Sequence, residues 1–203
     1  MNYLININLT GLIAAFLVVS GLAPVQAVAD CADEPAAGVN WAGCDKQGVD
    51  LRGIDLSSAV LTRTNLENAN FSGSRLSHAD FNRSNLKNAK FDKARMIGAR
   101  LVGVEARGAS FRQAILDDAS LSRSSLDSAD FTQSRLRRVN FYDADLANAD
   151  FTQANLEGAR LERAKMFAAK YDEANLDAAN LESSDAETAT FKNASMVKAK
   201  LDN

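Results

Sequence analysis

From Leu51 to Leu201 a large apolar residue returns every fifth position, a period that neither an α-helix nor a β-strand can bury on one face. A helix turns about 100° per residue and a strand about 180°, so a step of five smears a helical stripe or alternates between the two sides of a strand. The backbone must therefore change direction once per repeat. Of the 31 central positions, 29 hold Leu, Phe, Met or Tyr, the exceptions being Ala106 and Ala186. Two residues before each centre, 26 of the 31 positions are Ala or Ser, with Val49, Ile54, Thr64, Val104 and Val139 as exceptions. One large and one small inward residue per repeat follows, and the remaining positions, rich in Asp, Asn, Arg, Lys, Gly and Ser, are expected to form the solvated wall and its corners.

A longer period gives the number of repeats in a circuit. Phe71, Phe91, Phe111, Phe131, Phe151, Tyr171 and Phe191 recur every 20 residues, whereas Phe81 and Phe141 fall half a circuit away. Four repeats per coil place the first set one above another on a single wall, with Phe81 and Phe141 on the wall opposite. About eight coils at ~4.8 Å each make a rod roughly 35 to 40 Å long.

Ala-Asn-Phe at 69–71, Ala-Asp-Phe at 79–81 and 149–151, and Ala-Asn-Leu at 154–156 resemble the motif of the pentapeptide-repeat family. The resemblance implies an all-β fold, a right-handed quadrilateral β-helix, and the handedness comes from the family alone. Arg75, Lys90, Arg95, Arg135 and Lys170 stand where the motif has Asp or Asn, and they are expected to face solvent.

The first 29 residues carry no charged side chain and include the apolar run from Leu12 to Val19. This segment reads as an export signal, with small residues for cleavage near Ala27 or Ala29 and a periplasmic or secreted product. A retained membrane anchor is the alternative; Gly11, Ser20, Gly21 and Pro24 leave a short uninterrupted span for it. The expected organisation is a signal over 1–29, a capping segment over 30–38 and the β-helix over 39–203. In an exported chain Cys31 and Cys44 are expected to pair. Trp41, in a central slot, is then expected to plug the upper mouth of the coil, with the disulfide pinning 30–38 across it. The alternative is an oxidised tail with no capping role. The final coil, with Phe191, Met196 and Leu201, shows no comparable cover and predicts an end-to-end homodimer.

Catalysis is not expected. His78 is the single histidine, it falls at an outward corner, and the carboxylates lie on the outside of a filled prism, away from any cleft that would tune them. No cofactor or metal motif is present. Charge is more informative: residues 51–140 hold 15 Lys and Arg against 9 Asp and Glu, and residues 141–203 hold 7 against 12. Arg63, Arg83, Arg123 and Arg163 share one outer column, interrupted by Gly103 and Asp143, so that Arg83, Arg123 and Arg163 stand about 10 Å apart. Ile97, Val102 and Ile115 are outward apolar residues near one another in coil order, Tyr142 lies two coils below Val102 and Phe167 elsewhere, and the corners Gly98, Gly103 and Gly108 in the same stretch read as thin and closely approachable. These six residues, Arg83, Arg123, Arg163, Ile97, Val102 and Tyr142, are the candidate contacts for an unidentified protein or an acidic envelope polymer, and stable membrane insertion after signal cleavage is not expected.

The family's best-known members resemble DNA in shape and charge and bind DNA topoisomerases, protecting them from quinolones. A leader, a basic middle and uninterrupted coils all depart from that pattern, and no nucleic-acid partner is expected. The preferred expectation is a non-catalytic exported scaffold or interaction module; a topoisomerase-binding DNA mimic and an anionic-glycan-binding envelope protein are the alternatives.

Overall fold

The structure is a computed structural model that describes residues 29–201, so the expected leader lies outside the described residues apart from Ala29. From Asn40 onward each repeat adds one bridge position to the wall. Every bridge is parallel and joins residues 20 apart, as in Asn40 to Val60, Ile115 to Arg135 and Asn180 to Lys200. Four repeats make one turn of a four-sided β-helix, the architecture that the five-residue period demanded.

The backbone chemistry of one side repeats almost without change. The Ala59 N–H donates to the Leu56 carbonyl at 3.0 Å and closes a tight turn, while the Ser58 N–H reaches the Ser77 carbonyl of the next coil at 2.9 Å. The third residue of each turn has positive φ at every corner from Gly38 to Lys198, for instance 58° at Ser58 and 61° at Arg83. Outside glycine this conformation costs of the order of 1 kcal/mol or more. From Gly38 to Ala178 a hydrogen bond from each corner N–H to the coil below holds it in place.

The family's Asp or Asn is explained by the same turn. Its side-chain oxygen accepts the backbone N–H two residues on, as Asn70 does from Ser72 at 3.0 Å and Asp150 from Thr152 at 2.9 Å. This is an Asx turn, in which the side chain stands in for a backbone acceptor. Where the motif is broken, the acceptor is supplied from the coil above: Asn82 takes the Val102 N–H at 2.8 Å, and Asp117 takes the Arg137 N–H at 3.2 Å. Asp172 and Asp177 serve Lys192 and Val197 in the same way, at 3.0 and 2.8 Å. Arg75, Lys90, Arg95, Arg135 and Lys170 are all exposed.

Inside, the large and small positions interlock along the axis. Phe111 lies over Phe131 with ring centroids 4.7 Å apart and planes within 3°. The stack continues from Phe71 to Phe191 at spacings of 4.7 to 5.0 Å, because the separation of parallel strands sets the separation of the rings. Phe81 and Phe141 meet this stack edge-on at 5.6 to 5.8 Å, the complementary arrangement of ring edge against ring face. Small polar residues in the inward register are satisfied by main-chain carbonyls: the Ser84 hydroxyl donates to Leu61 at 2.7 Å and the Thr64 hydroxyl to Trp41 at 2.7 Å. Tyr171 replaces Phe in the stack, its hydroxyl donating to the Met166 sulfur at 3.1 Å, and burial pushes that phenol far above its ordinary pKa.

The upper mouth is closed as the aromatic at 41 implied. Trp41 is 1% exposed, its indole N–H donates to the Asp33 carbonyl at 3.1 Å, and the Lys46 ammonium stands 4.0 Å from its ring centre. Cys31 and Cys44 form a disulfide, and the Asp30 N–H donates to the Asn40 carbonyl at 3.2 Å. Among the described residues no helix is long and apolar enough to cross a membrane.

Candidate interaction edge

A corner in this fold presents the two residues after each central position, and corners 20 residues apart line up along the axis. Arg63, Arg83, Gly103, Arg123, Asp143 and Arg163 thereby form one edge, each at the positive-φ position, and the arginines and Asp143 are exposed. The arginines on this edge differ from most others in the molecule. Arg52, Arg75, Arg100, Arg107, Arg112, Arg135, Arg137, Arg138 and Arg160 each lie within 4.0 Å of a carboxylate. Among the described residues Arg63, Arg83, Arg123 and Arg163 have no ion pair, and Arg95 is the one other arginine in that condition.

The reason lies in what each side chain finds one coil away. On the neighbouring corner Arg138 sits directly below Asp118 and donates two hydrogen bonds to it, both 2.7 Å long. That contact holds the Asp118 carboxyl below its ordinary pKa and raises that of the guanidinium. On the arginine edge the stacking neighbours are Arg, Gly, Ser or, once, Asp143, which pairs with neither Arg123 nor Arg163 among the described residues. Four exposed guanidinium groups are thus left without an internal counter-charge, each a planar fork suited to carboxylate or phosphate geometry.

The upper part of the edge is concave. Thr62, Arg63, Asp80, Asn82, Arg83, Arg100 and Val102 line a cleft of about 520 Å³. Arg100 is drawn to Asp80, 3.3 Å away, and the Asn82 carbonyl oxygen is committed to the Val102 N–H at 2.8 Å. A smaller hollow of about 320 Å³ lies lower on the same edge, between Arg123, Asp143, Asp145 and Lys165.

Of the six candidate contacts, the structure places Arg83, Val102, Arg123, Tyr142 and Arg163 on this edge, whereas Ile97 belongs to the adjoining corner. Ile97, Val102 and Tyr142 are only half-exposed. Two of the three glycine corners, Gly98 and Gly108, are not thin, whereas at Gly103 the nearest atom to an added Cβ is Arg83 Cγ at 4.0 Å. A Cβ on Gly98 would stand 2.8 Å from His78 Nδ1, and one on Gly108 would stand 2.8 Å from Asn88 Oδ1, so each glycine accommodates a side chain descending from the coil above. His78 is accordingly a corner residue lying over Gly98. Thr62, Asp80, Asn82 and Arg100 were not singled out from the sequence, although the 20-residue period that defines the coil puts 62, 82 and 102 side by side. Among the described residues no group of three or more His, Cys, Asp or Glu could hold a metal ion.

Comparison with known families matches residues 74–151 to the family described as pentapeptide repeat region, and residues 42–77, 144–170 and 172–203 to the family described as pentapeptide repeats (8 copies). Similar solved structures include QnrB1, a plasmid-mediated fluoroquinolone resistance protein, at 16% identity over 83% of this chain and 92% of that one, with a TM-score of 0.41. HetL, involved in heterocyst differentiation regulation in the cyanobacterium Nostoc sp. strain PCC 7120, is 26% identical over 78% of this chain and 87% of its own, with a TM-score of 0.31. A pentapeptide-repeat protein of the Arabidopsis thaliana thylakoid lumen is 26% identical over 63% of this chain and 68% of its own, with a TM-score of 0.27. No curated protein matches the chain.

Proposed function

Since the chain belongs to the pentapeptide-repeat family, we propose that it works as a non-catalytic, exported scaffold whose arginine edge engages an acidic partner in the periplasm or outside the cell. The observation that carries this reading is the run of unpaired guanidiniums on a rigid corner, beside corners whose arginines are neutralised by carboxylates from adjacent coils. A rigid coil fixes the spacing of those charges before the partner arrives, which lowers the ordering cost of binding. Export is supported by the uncharged apolar leader and by the Cys31–Cys44 disulfide, a bond that persists in oxidising compartments.

Purified wild-type rod should recover a partner from envelope extracts, and the variant carrying Arg83→Glu, Arg123→Glu and Arg163→Glu should not; unchanged recovery removes the edge from consideration. Fractionation with N-terminal sequencing tests export, with a mature terminus just after Ala27 or Ala29 expected. The reading as a topoisomerase-binding DNA mimic makes the opposite commitment: gyrase supercoiling would respond to the leader-free protein. A basic edge has the wrong sign for such a mimic, and no response is expected at excess protein.

Two copies are further proposed to meet through the coil of residues 181–201, where Val197 and Leu201 are 62% and 57% exposed. A monomeric mass at micromolar concentration in the ultracentrifuge would exclude that contact.

A further inference from the structure

The charges along the arginine edge are unevenly placed, and their neighbours narrow the kind of anion that fits. Arg63 and Arg83 stand on successive coils, ~4.8 Å apart along the axis, and both open into the 520 Å³ cleft. Arg123 and Arg163 follow singly, at intervals of about 10 Å, two coils each. The pattern is an open cleft with paired cations, continued by the single cations Arg123 and Arg163 with Asp143 between them.

Inside the cleft several polar groups are uncommitted. The Thr62 hydroxyl and the Asn82 amide nitrogen have no internal hydrogen-bond partner among the described residues, since the Asn82 oxygen alone is engaged, by Val102. Asp80 accepts the Asn82 N–H at 3.0 Å and pairs with Arg100 at 3.3 Å, yet a carboxylate offers about four lone-pair sites and retains acceptor capacity. Val102 adds an apolar surface. A simple anion would answer the two arginines and leave the hydroxyl, amide, carboxylate and apolar groups unmatched. An acidic peptide would answer the arginines but bring no hydroxyls to the Thr62 hydroxyl, the Asn82 amide and the Asp80 carboxylate. A sugar acid carries one anionic group, hydroxyls that both donate and accept, and an apolar ring face, and the cleft volume lies within the usual range for small-ligand sites, roughly 300 to 1,000 Å³.

We propose that the cleft binds one uronate residue of an acidic polysaccharide through Arg63 and Arg83, and that Arg123 and Arg163 hold further carboxylates of the same polymer along the edge. In an extended polyuronate alternate sugars point the same way, so carboxylates on every second sugar meet cations two coils apart. This ligand rests on the arginine edge being the binding surface and specifies what it binds.

Calorimetry at low salt with polymannuronate oligomers of two and six sugars tests the assignment, with polyglutamate and a neutral oligosaccharide of matched length as comparators. Arg63→Gln with Arg83→Gln is expected to weaken binding of both oligomers roughly tenfold or more, the scale of lost charge-assisted hydrogen bonds. Arg123→Gln with Arg163→Gln should weaken the six-sugar oligomer and leave the two-sugar one unchanged. Lys90→Gln with Arg95→Gln removes the same charge away from the edge and should change neither, and circular dichroism identical to wild type in every variant separates lost binding from lost folding. Equal loss in that control, polyglutamate binding as tightly as the six-sugar oligomer, or no oligouronate binding at all each overturns the proposal. In the last case, protein capture that still depends on Arg83, Arg123 and Arg163 leaves the edge standing with a different ligand, and capture indifferent to them retires both readings.

Discussion

Trp41 in the first coil is 1% exposed beneath a disulfide-anchored segment, whereas Val197 and Leu201 in the coil of residues 181–201 are 62% and 57% exposed. Both coils belong to the same repeat and use the same turn. The difference teaches what one coil cannot do for itself. Each layer of a solenoid buries its apolar groups against the layer above and the layer below, so a layer covered on one side only keeps its large side chains half wet. Residues 30–38 supply the missing side for Trp41. For Phe191, Met196 and Leu201 no described residue does.

Replacing the central side chain in each region should separate them most sharply. Trp41→Ala is expected to cost about 3 to 5 kcal/mol, the range for truncating a fully buried aromatic, whereas Phe191→Ala, already half-exposed on one face, should cost about half as much; urea midpoints at matched m-values measure both. Equal costs would show that a second surface covers the last coil in solution. Next in size is the disulfide. The pair Cys31→Ser and Cys44→Ser opens a link across a sequence separation of 13 and should cost about 3 kcal/mol, read as the same shift on adding reductant to the wild type. A shift near zero would mean that residues 30–38 stay docked through Trp41 alone.

Lys46→Gln removes the cation 4.0 Å from the Trp41 ring and should cost about 0.5 to 1 kcal/mol, with no counterpart at the other end. The smallest effect is on acid stability. Asp55, near the capped end, accepts hydrogen bonds from the Ser57 hydroxyl, the Ser57 N–H and Arg75, which lower its pKa to about 2. The folded-state value is depressed, so its contribution is complete above the ordinary aspartate pKa of ~3.9 and fades as pH falls from there toward 2. Asp55→Asn keeps the oxygen that caps the turn and gives up the charge; it should flatten this part of a pH titration followed by circular dichroism. An unchanged slope would assign acid sensitivity to other carboxylates.

Much of this fold was legible because each repeat states the same rule. Phe111 and Phe131 could be placed one above the other from their 20-residue separation, and Trp41 identified as a plug from its register. The arginine edge was legible only as a column of arginines. That Arg138 is neutralised by Asp118 while Arg123 is not depends on which side chains face each other across coils, and a count of charges per segment averages that away. Gly98 misled for a related reason: a missing side chain reads as open space, but the imidazole of His78 from the coil above occupies it.

The sequence by itself determined the coil: a five-residue period can be buried only by turning a corner in each repeat, and the recurrence of aromatic rings set four corners to a circuit. The tertiary structure alone decided which surface charges are satisfied and where the wall is hollow. Most of these contacts join residues 18 to 20 apart across a strand spacing, as Asp80 meets Arg100 and the Asn82 side chain meets the Val102 N–H; only a few pairs, such as Arg52 with Asp50 and Arg160 with Glu162, lie within one local stretch of the chain.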